Sequence, residues 1–219
     1  MSQGGDLIRD NLGQEFCYIP EGNFLGGVDG TEELTIRAPY YMGRFPVTSA
    51  LYQAFLSDTG HDYSKDDLRM LQQVSPMPEC PAVNVSWLDA KEFCRWLRRK
   101  TGDYYSLPQN DEWEKAARGE DGRTYAWGNE KPNADYAYFN KSHVGLTTQV
   151  GNMPKGTSPY GCLDMSGNAW EWCLDSFDDP RDPHILKGGS WQNEAEHLDC
   201  GIKLFSHPAD KRRNYAGFR

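Results

Sequence analysis

The sequence predicts an α+β domain in which irregular structure outweighs regular elements, and three observations carry that expectation. Apolar residues make up only 38% of the 219 residues while Gly (22) and Pro (13) are plentiful, a balance that favours loops over long helices. Seven Trp, 12 Tyr and 9 Phe place much of the core in aromatic side chains. Helical periodicity is confined to the first half and vanishes from Tyr125 onward, where Gly, Asn, Pro and aromatic residues recur to Arg219.

Taken in order, residues 1–14 are read as an N-terminal extension and 15–219 as one domain. Phe16 to Leu25 reads as a strand–turn–strand hairpin around Pro20-Glu21-Gly22-Asn23. A second β-rich run, Leu34 to Val47, is interrupted by Pro39 and Pro46. Thr48 caps a helix over Ser49 to Asp58, with Leu51, Tyr52, Phe55 and Leu56 on one face and Gly60 as its stop. Residues 61–82 are polar and punctuated by proline, and read as a surface excursion. Ser86 then caps the clearest helix, with Asp89 in the first turn, Phe93, Trp96 and Leu97 as the apolar stripe, and Arg98, Arg99 and Lys100 before Gly102. A third, shorter helix runs from Asn110 to Arg118 and stops at Gly119.

Charge and cysteine usage exclude several functions. Lys plus Arg is 23 against 32 Asp plus Glu, a net charge of −9 that repels phosphate backbones, so no nucleic-acid partner is expected. The basic run Lys211-Arg212-Arg213 reads as a solvated turn. No stretch approaches the roughly 18 apolar residues of a membrane span. Met1 to Asp6 has no basic or apolar signal region, so a cytoplasmic location is expected. Six cysteines without a C-x-x-C pair read as buried free thiols. Trp87, Trp113, Trp127, Trp170, Trp172 and Trp191 read as core.

Four phrases are more specific. They are Pro81-Ala82-Val83-Asn84-Val85-Ser86-Trp87; Leu107-Pro108 leading to Glu112-Trp113-Glu114 and Ala116-Ala117-Arg118-Gly119; Asp164-Met165-Ser166-Gly167-Asn168-Ala169-Trp170-Glu171-Trp172; and Lys187-Gly188-Gly189-Ser190-Trp191, closed by Gly217-Phe218-Arg219. In this order and spacing the chain resembles the formylglycine-generating-enzyme (sulfatase-modifying factor) family, from Tyr18 to Arg219. The resemblance implies a C-type-lectin-like fold: a small twisted antiparallel sheet, about three helices and much rigid irregular structure. That fold hosts oxidases, oxygenases and pure recognition domains, so it fixes no function.

The family's oxidases hold Cu(I) on two cysteine thiolates, soft ligands for a soft ion. Set on Gly188-Gly189-Ser190-Trp191, the family register places those cysteines at Asn193 and Leu198, and a shift onto Cys200 leaves Ala195 as the other partner. Copper is therefore not expected. Sulfoxide-synthase relatives use iron on three histidines; the five here are His61, His143, His184, His197 and His207. If any oxidation chemistry survives, Cys200, His197 and His207 are its candidates, in a metal- and O₂-dependent oxidoreductase of altered chemistry.

The resemblance implies a structural Ca²⁺ at Asp164 (side chain), Gly167 and Ala169 (carbonyls) and Glu171 (side chain), oxygen donors of the kind calcium takes. A second calcium site is not expected, because Asn140 has no Asp after it before Asp164. The favoured function is a non-catalytic recognition domain, similar to the variable proteins of diversity-generating retroelements or to signalling-associated modules. Its protein or small-molecule ligand would sit on the window from Gln192 to Ala216. The face would be Gln192, Asn193, Glu194, Glu196, His197, Asp199, Lys203, Phe205, His207, Lys211, Arg213, Asn214 and Tyr215. Asp199 and Lys203 stand where the family often has Arg, which shifts the charge of that face.

Overall fold

The structure is a computed structural model that describes residues 7–140, 144–176, 184–206 and 209–219. In chain order its elements are β1 (Leu7–Arg9), β2 (Glu15–Ile19), β3 (Gly22–Gly26), β4 (Glu32–Ile36), β5 (Tyr40–Gly43), α1 (Ser49–Thr59), α2 (Lys65–Val74), α3 (Trp87–Thr101), α4 (Asn110–Arg118), β6 (Trp170–Ser176), β7 (His184–Lys187), β8 (Leu204–Ser206) and β9 (Ala216–Gly217). Short 3₁₀ turns occupy Pro154–Gly156 and Ala195–Leu198.

The expected mixed α+β architecture is present, divided among three small sheets ordered β1-β2-β5, β3-β4 and β8-β7-β6-β9. The strands expected between Phe16 and Leu25 both form but do not pair with each other. Ile19 pairs with Tyr40 and Gly22 with Ile36. A two-residue hairpin loop needs positive φ at its centre, which the fixed φ of Pro20 forbids, so the chain leaves one sheet and starts another. Residues 7–14, placed outside the domain by the sequence, supply β1 and a turn built on Asp10, with Leu7 opposite Cys17.

The helices follow their caps. In α1 the Thr48 hydroxyl accepts from Leu51 N–H, and Gly60 ends the helix at φ +62°. In α3 Ser86 and Asp89 exchange side-chain-to-backbone hydrogen bonds of 3.1 and 2.9 Å, and Gly102 closes the other end at φ +87°. The surface excursion expected over 61–82 contains a fourth helix, α2. Ser64 accepts from Asp67 N–H at 3.0 Å, and Leu68, Leu71 and Val74 repeat at i, i+3, i+6, the last two buried. Its apolar stripe is thin because the helix covers the core by one edge only, and the prolines begin after it.

Two clusters make the core. One joins α1 and α3 to Trp170, Trp172, Trp191 and Phe218; the other packs Trp113, Ala116 and Ala117 of α4 against β2, Met165 and Ile185. All six cysteines are buried, and none is in a disulfide. Trp127 departs from the expected core set: it is half-buried and stacks at the surface. Among the described residues no helix is long and apolar enough to cross a membrane.

Candidate functional site

The site is built where β7 ends. Gly188 and Gly189 turn the chain at φ +96° and +75°, and a Cβ on Gly189 would sit 2.8 Å from the His197 carbonyl oxygen. Only glycine lets the turn pack so closely against the 195–198 segment. Asn193, at the first expected copper position, closes this turn. Its Oδ1 accepts from Ser190 N–H (3.0 Å), the Ser190 hydroxyl (2.6 Å) and Trp170 Nε1–H (2.8 Å). Leu198, at the second, is fully buried, and its carbonyl accepts from Ser166 Oγ at 2.9 Å. One position braces the turn and the other fills the core.

Cys200 is equally enclosed. Burial pushes its thiol up to about 11, against the opposing charges of Arg118 and Lys187, so it carries no thiolate at neutral pH. His197 is exposed at the end of the 3₁₀ turn, while His143 and His207 lie outside the described residues. The candidate oxidation residues that are described are thus one inert thiol and one surface imidazole.

The predicted ligand face divides in two. Glu194, Glu196, His197, Lys203, Phe205 and Lys211 are exposed; Gln192, Asn193, Asp199, Arg213, Asn214 and Tyr215 are half-buried. Several of the second group point their chemistry inward. Asp199 Oδ1 accepts from Gly201 N–H (2.7 Å) and from buried Arg118 (3.1 Å). The carbonyls of Arg213 and Tyr215 accept from Asn84 and Trp170 N–H.

The basic run is not simply solvated. Arg212 donates to both Asp89 oxygens (2.8 and 2.9 Å), to Asp67 (2.8 Å) and to the Asp62 carbonyl, and lies 4.5 Å over the Tyr63 ring. Burial pushes Asp89 up, but hydrogen bonds from Arg212, His61 and Ser86 outweigh it and hold the carboxyl below its usual value.

The Asp164–Glu171 loop has the turns expected of it, with Asp164, Gly167 and Asn168 at φ +57°, +100° and +64°. Three of its four expected ligand residues have an oxygen that already accepts a hydrogen bond. Glu171 accepts from Arg219 at both carboxylate oxygens (2.6 and 2.7 Å) and from Trp113 Nε1–H (2.7 Å). Arg219 completes its fork on the carbonyls of Gly43, Arg44 and Leu163. The Gly167 carbonyl accepts from Ala169 N–H (2.9 Å), and Asp164 from Gly151 N–H (2.7 Å). Burial raises the Asp164 carboxyl to about 6. Among the described residues no three His, Cys, Asp or Glu side chains gather around a metal-sized space. Calcium takes about six to eight oxygens, and an ion at the four expected positions would share the Glu171 carboxylate with the Arg219 guanidinium.

Two further features were not read from the sequence. Buried Lys187 and Arg118 flank Glu114, whose oxygens also take the Gly27 N–H, which ties β7 and α4 to the β3–β4 hairpin. A cleft of about 1200 Å³ opens between the β1-β2-β5 sheet, α1, α3 and residues 103–108. None of the described residues of the 192–216 window lines it. Its apolar rim residues Ile8, Leu12, Tyr41 and Tyr104 are scattered over segments too far apart in sequence to form a pattern.

Residues 8–219 match the sulfatase-modifying factor enzyme 1-like domain. The chain is 28% identical over 266 residues to the inactive C-alpha-formylglycine-generating enzyme 2 of Mus musculus, covering 92% of this chain and 83% of that protein. With other curated relatives the aligned stretch takes in 34% to 52% of their length. Among solved structures, PvdO from Pseudomonas aeruginosa superposes with a TM-score of 0.81 at 22% identity, covering 100% of this chain and 98% of that one. Treponema denticola variable protein 1 does so with a TM-score of 0.72 at 20% identity, covering 97% and 96%. At those identities the likeness is one of fold. The chain therefore belongs to the sulfatase-modifying factor enzyme 1-like family and has its C-type-lectin-like fold.

Proposed function

We propose that this domain is a non-catalytic recognition module that binds a protein or small-molecule ligand through the exposed part of the 192–216 window. One observation carries the reading. Asn193 and Leu198 stand at the two positions where the family's oxidases place copper cysteines, and both are committed to holding the turn and the core. The relative named inactive and the structural neighbour named a variable protein support it as precedents. Six buried thiols without a disulfide suit a reducing, cytoplasmic setting. The competing oxidoreductase would need a thiolate at Cys200, and burial opposes one.

The test is a titration of the purified chain with Cu(I) and with Fe(II), following O₂ uptake in the presence of thiols and of peptides bearing a sulfatase motif. The expected result is neither stoichiometric binding nor turnover. Tight stoichiometric metal binding with O₂ consumption, lost in Cys200→Ala, would defeat the recognition reading.

A further inference from the structure

We infer that the face formed by the Tyr125–Trp127–Tyr136 stack and the adjoining acidic turn, which begins at Glu194 and carries Glu196, docks a basic peptide segment of a partner protein. The inference rests on the recognition reading and names the partner's chemistry. The three rings form one stack, with centroids 5.0 Å apart at 9° and 5.1 Å apart at 12°. All three are half-buried, whereas Trp113, Trp170, Trp172 and Trp191 lie in the core.

The stack is held before any partner arrives. Trp127 Nε1–H donates to the Glu130 carbonyl at 2.9 Å, the Tyr136 hydroxyl donates to the Glu130 carboxylate, and Tyr125 and Gly128 exchange backbone hydrogen bonds. A fixed aromatic surface loses little conformational entropy on binding.

The stack lies against the predicted window. Cys200 N–H donates to the Thr124 carbonyl at 2.8 Å, which seats the 195–198 turn beside Tyr125. Burial, and then the charges of Asp199 and Glu196, raise the Tyr125 phenol, in keeping with those carboxylates lying near the ring.

Charge selects the partner. Neighbouring acids are neutralised, Asp121 by Arg123 and Asp135 by Lys155. Glu194 and Glu196 are exposed and have no ion-pair partner among the described residues. With Glu130 at the Tyr136 end, carboxylates bracket the stack on a protein of net charge −9. Arg and Lys suit such a surface: their methylenes cover the ring edges while their charged heads reach the carboxylates. An acidic partner would be repelled.

Fluorescence anisotropy of a labelled peptide alternating Arg and Leu, against its Glu–Leu counterpart, tests the proposal on the whole chain. The Arg–Leu peptide should bind, and its affinity should fall with salt. Charge reversal at Glu194→Lys with Glu196→Lys should weaken it by about tenfold. These side chains are exposed, so the thermal midpoint should not move. Tyr125→Ser should also weaken binding, and Leu12→Ser, in the distant cleft, should leave it unchanged. Equal binding of both peptides, no binding of the basic one, or full binding to the charge-reversed variant overturns the proposal. Those failures leave the recognition reading standing, whereas metal-dependent O₂ uptake would defeat that reading however the peptides behave.

Discussion

Two arginines near the end of the chain hold the second half of the molecule to the first, and they do so in opposite surroundings. Arg219 is 0% exposed at its side chain, with Glu171 1% exposed, and each of its donors lands on oxygen: one carboxylate and the carbonyls of Gly43, Arg44 and Leu163. Arg212 is 23% exposed and shares two carboxylates, Asp89 and Asp67, the latter 27% exposed. The first clamps the end of the chain to β5 and to the 164–171 loop. The second clamps the 209–216 segment to the N-terminal ends of α2 and α3. Similar hydrogen bonds therefore carry different weights, because solvent can replace a partner at Arg212 and cannot at Arg219.

The widest separation of the two is expected from deleting each guanidinium. Arg219→Ala leaves Glu171 buried with Trp113 as its remaining partner and should cost about 3–5 kcal/mol, read as a fall in the urea midpoint. Arg219→Lys should recover little, since a point charge cannot span a carboxylate and three carbonyls. Arg212→Ala should cost about 1.5–3 kcal/mol. If the two variants lose equal stability, burial does not rank these clamps and the comparison fails.

The Arg212 clamp also has a pH signature that sharpens the contrast. Asp89 is held below its usual value in the folded state, so its contribution is present above the unfolded carboxyl value of about 3.9 and is lost as pH falls through the lower folded value. The stability gap between Arg212→Ala and the parent should therefore narrow below about pH 4 in thermal melts. A gap that widens on acidification would mean that Asp89 is not the partner that matters. A smaller effect is expected at the turn. Asn193→Ala leaves Trp170 Nε1–H and Ser190 N–H without their acceptor and should cost about 1–2 kcal/mol.

Neither clamp was legible in the sequence, and the reason is physical. The helices α1, α3 and α4 were, because a cap residue, a 3.6-residue stripe and a terminal glycine are all local signals. Arg212 and Asp89 are 123 residues apart, and no periodicity links them. The basic run therefore looked like a solvated turn. Sorting the 192–216 window by residue type put Asn193 and Asp199 on the surface, although one braces the Ser190 turn and the other pairs with buried Arg118. Trp127 looked like core because indoles usually are, and its stacking partner Tyr136 comes from a separate turn. The four phrases did carry the family and the fold, since their spacing encodes the Gly188–Gly189 turn and the Trp113–Glu171 contact together.

The smallest expected effect bears on the same comparison. The residue types for calcium are all present in the Asp164–Glu171 loop, yet Glu171 faces Arg219. An entering Ca²⁺ would compete with that guanidinium for the carboxylate and set a divalent ion beside a buried positive charge. Chelator or millimolar calcium should therefore shift the thermal midpoint of the parent by less than about 1 °C. A rise of several degrees with calcium would show that the ion wins the carboxylate from Arg219. The Arg219→Ala variant makes the test two-sided. Removing the guanidinium leaves Glu171 with only its Trp113 bond and frees the carbonyls of Gly43, Arg44 and Leu163 near Asp164, so calcium should recover part of the variant's lost stability while leaving the parent unmoved. If it recovers none, these oxygens are arranged for a planar fork and not for a spherical ion, and the loop depends on arginine alone.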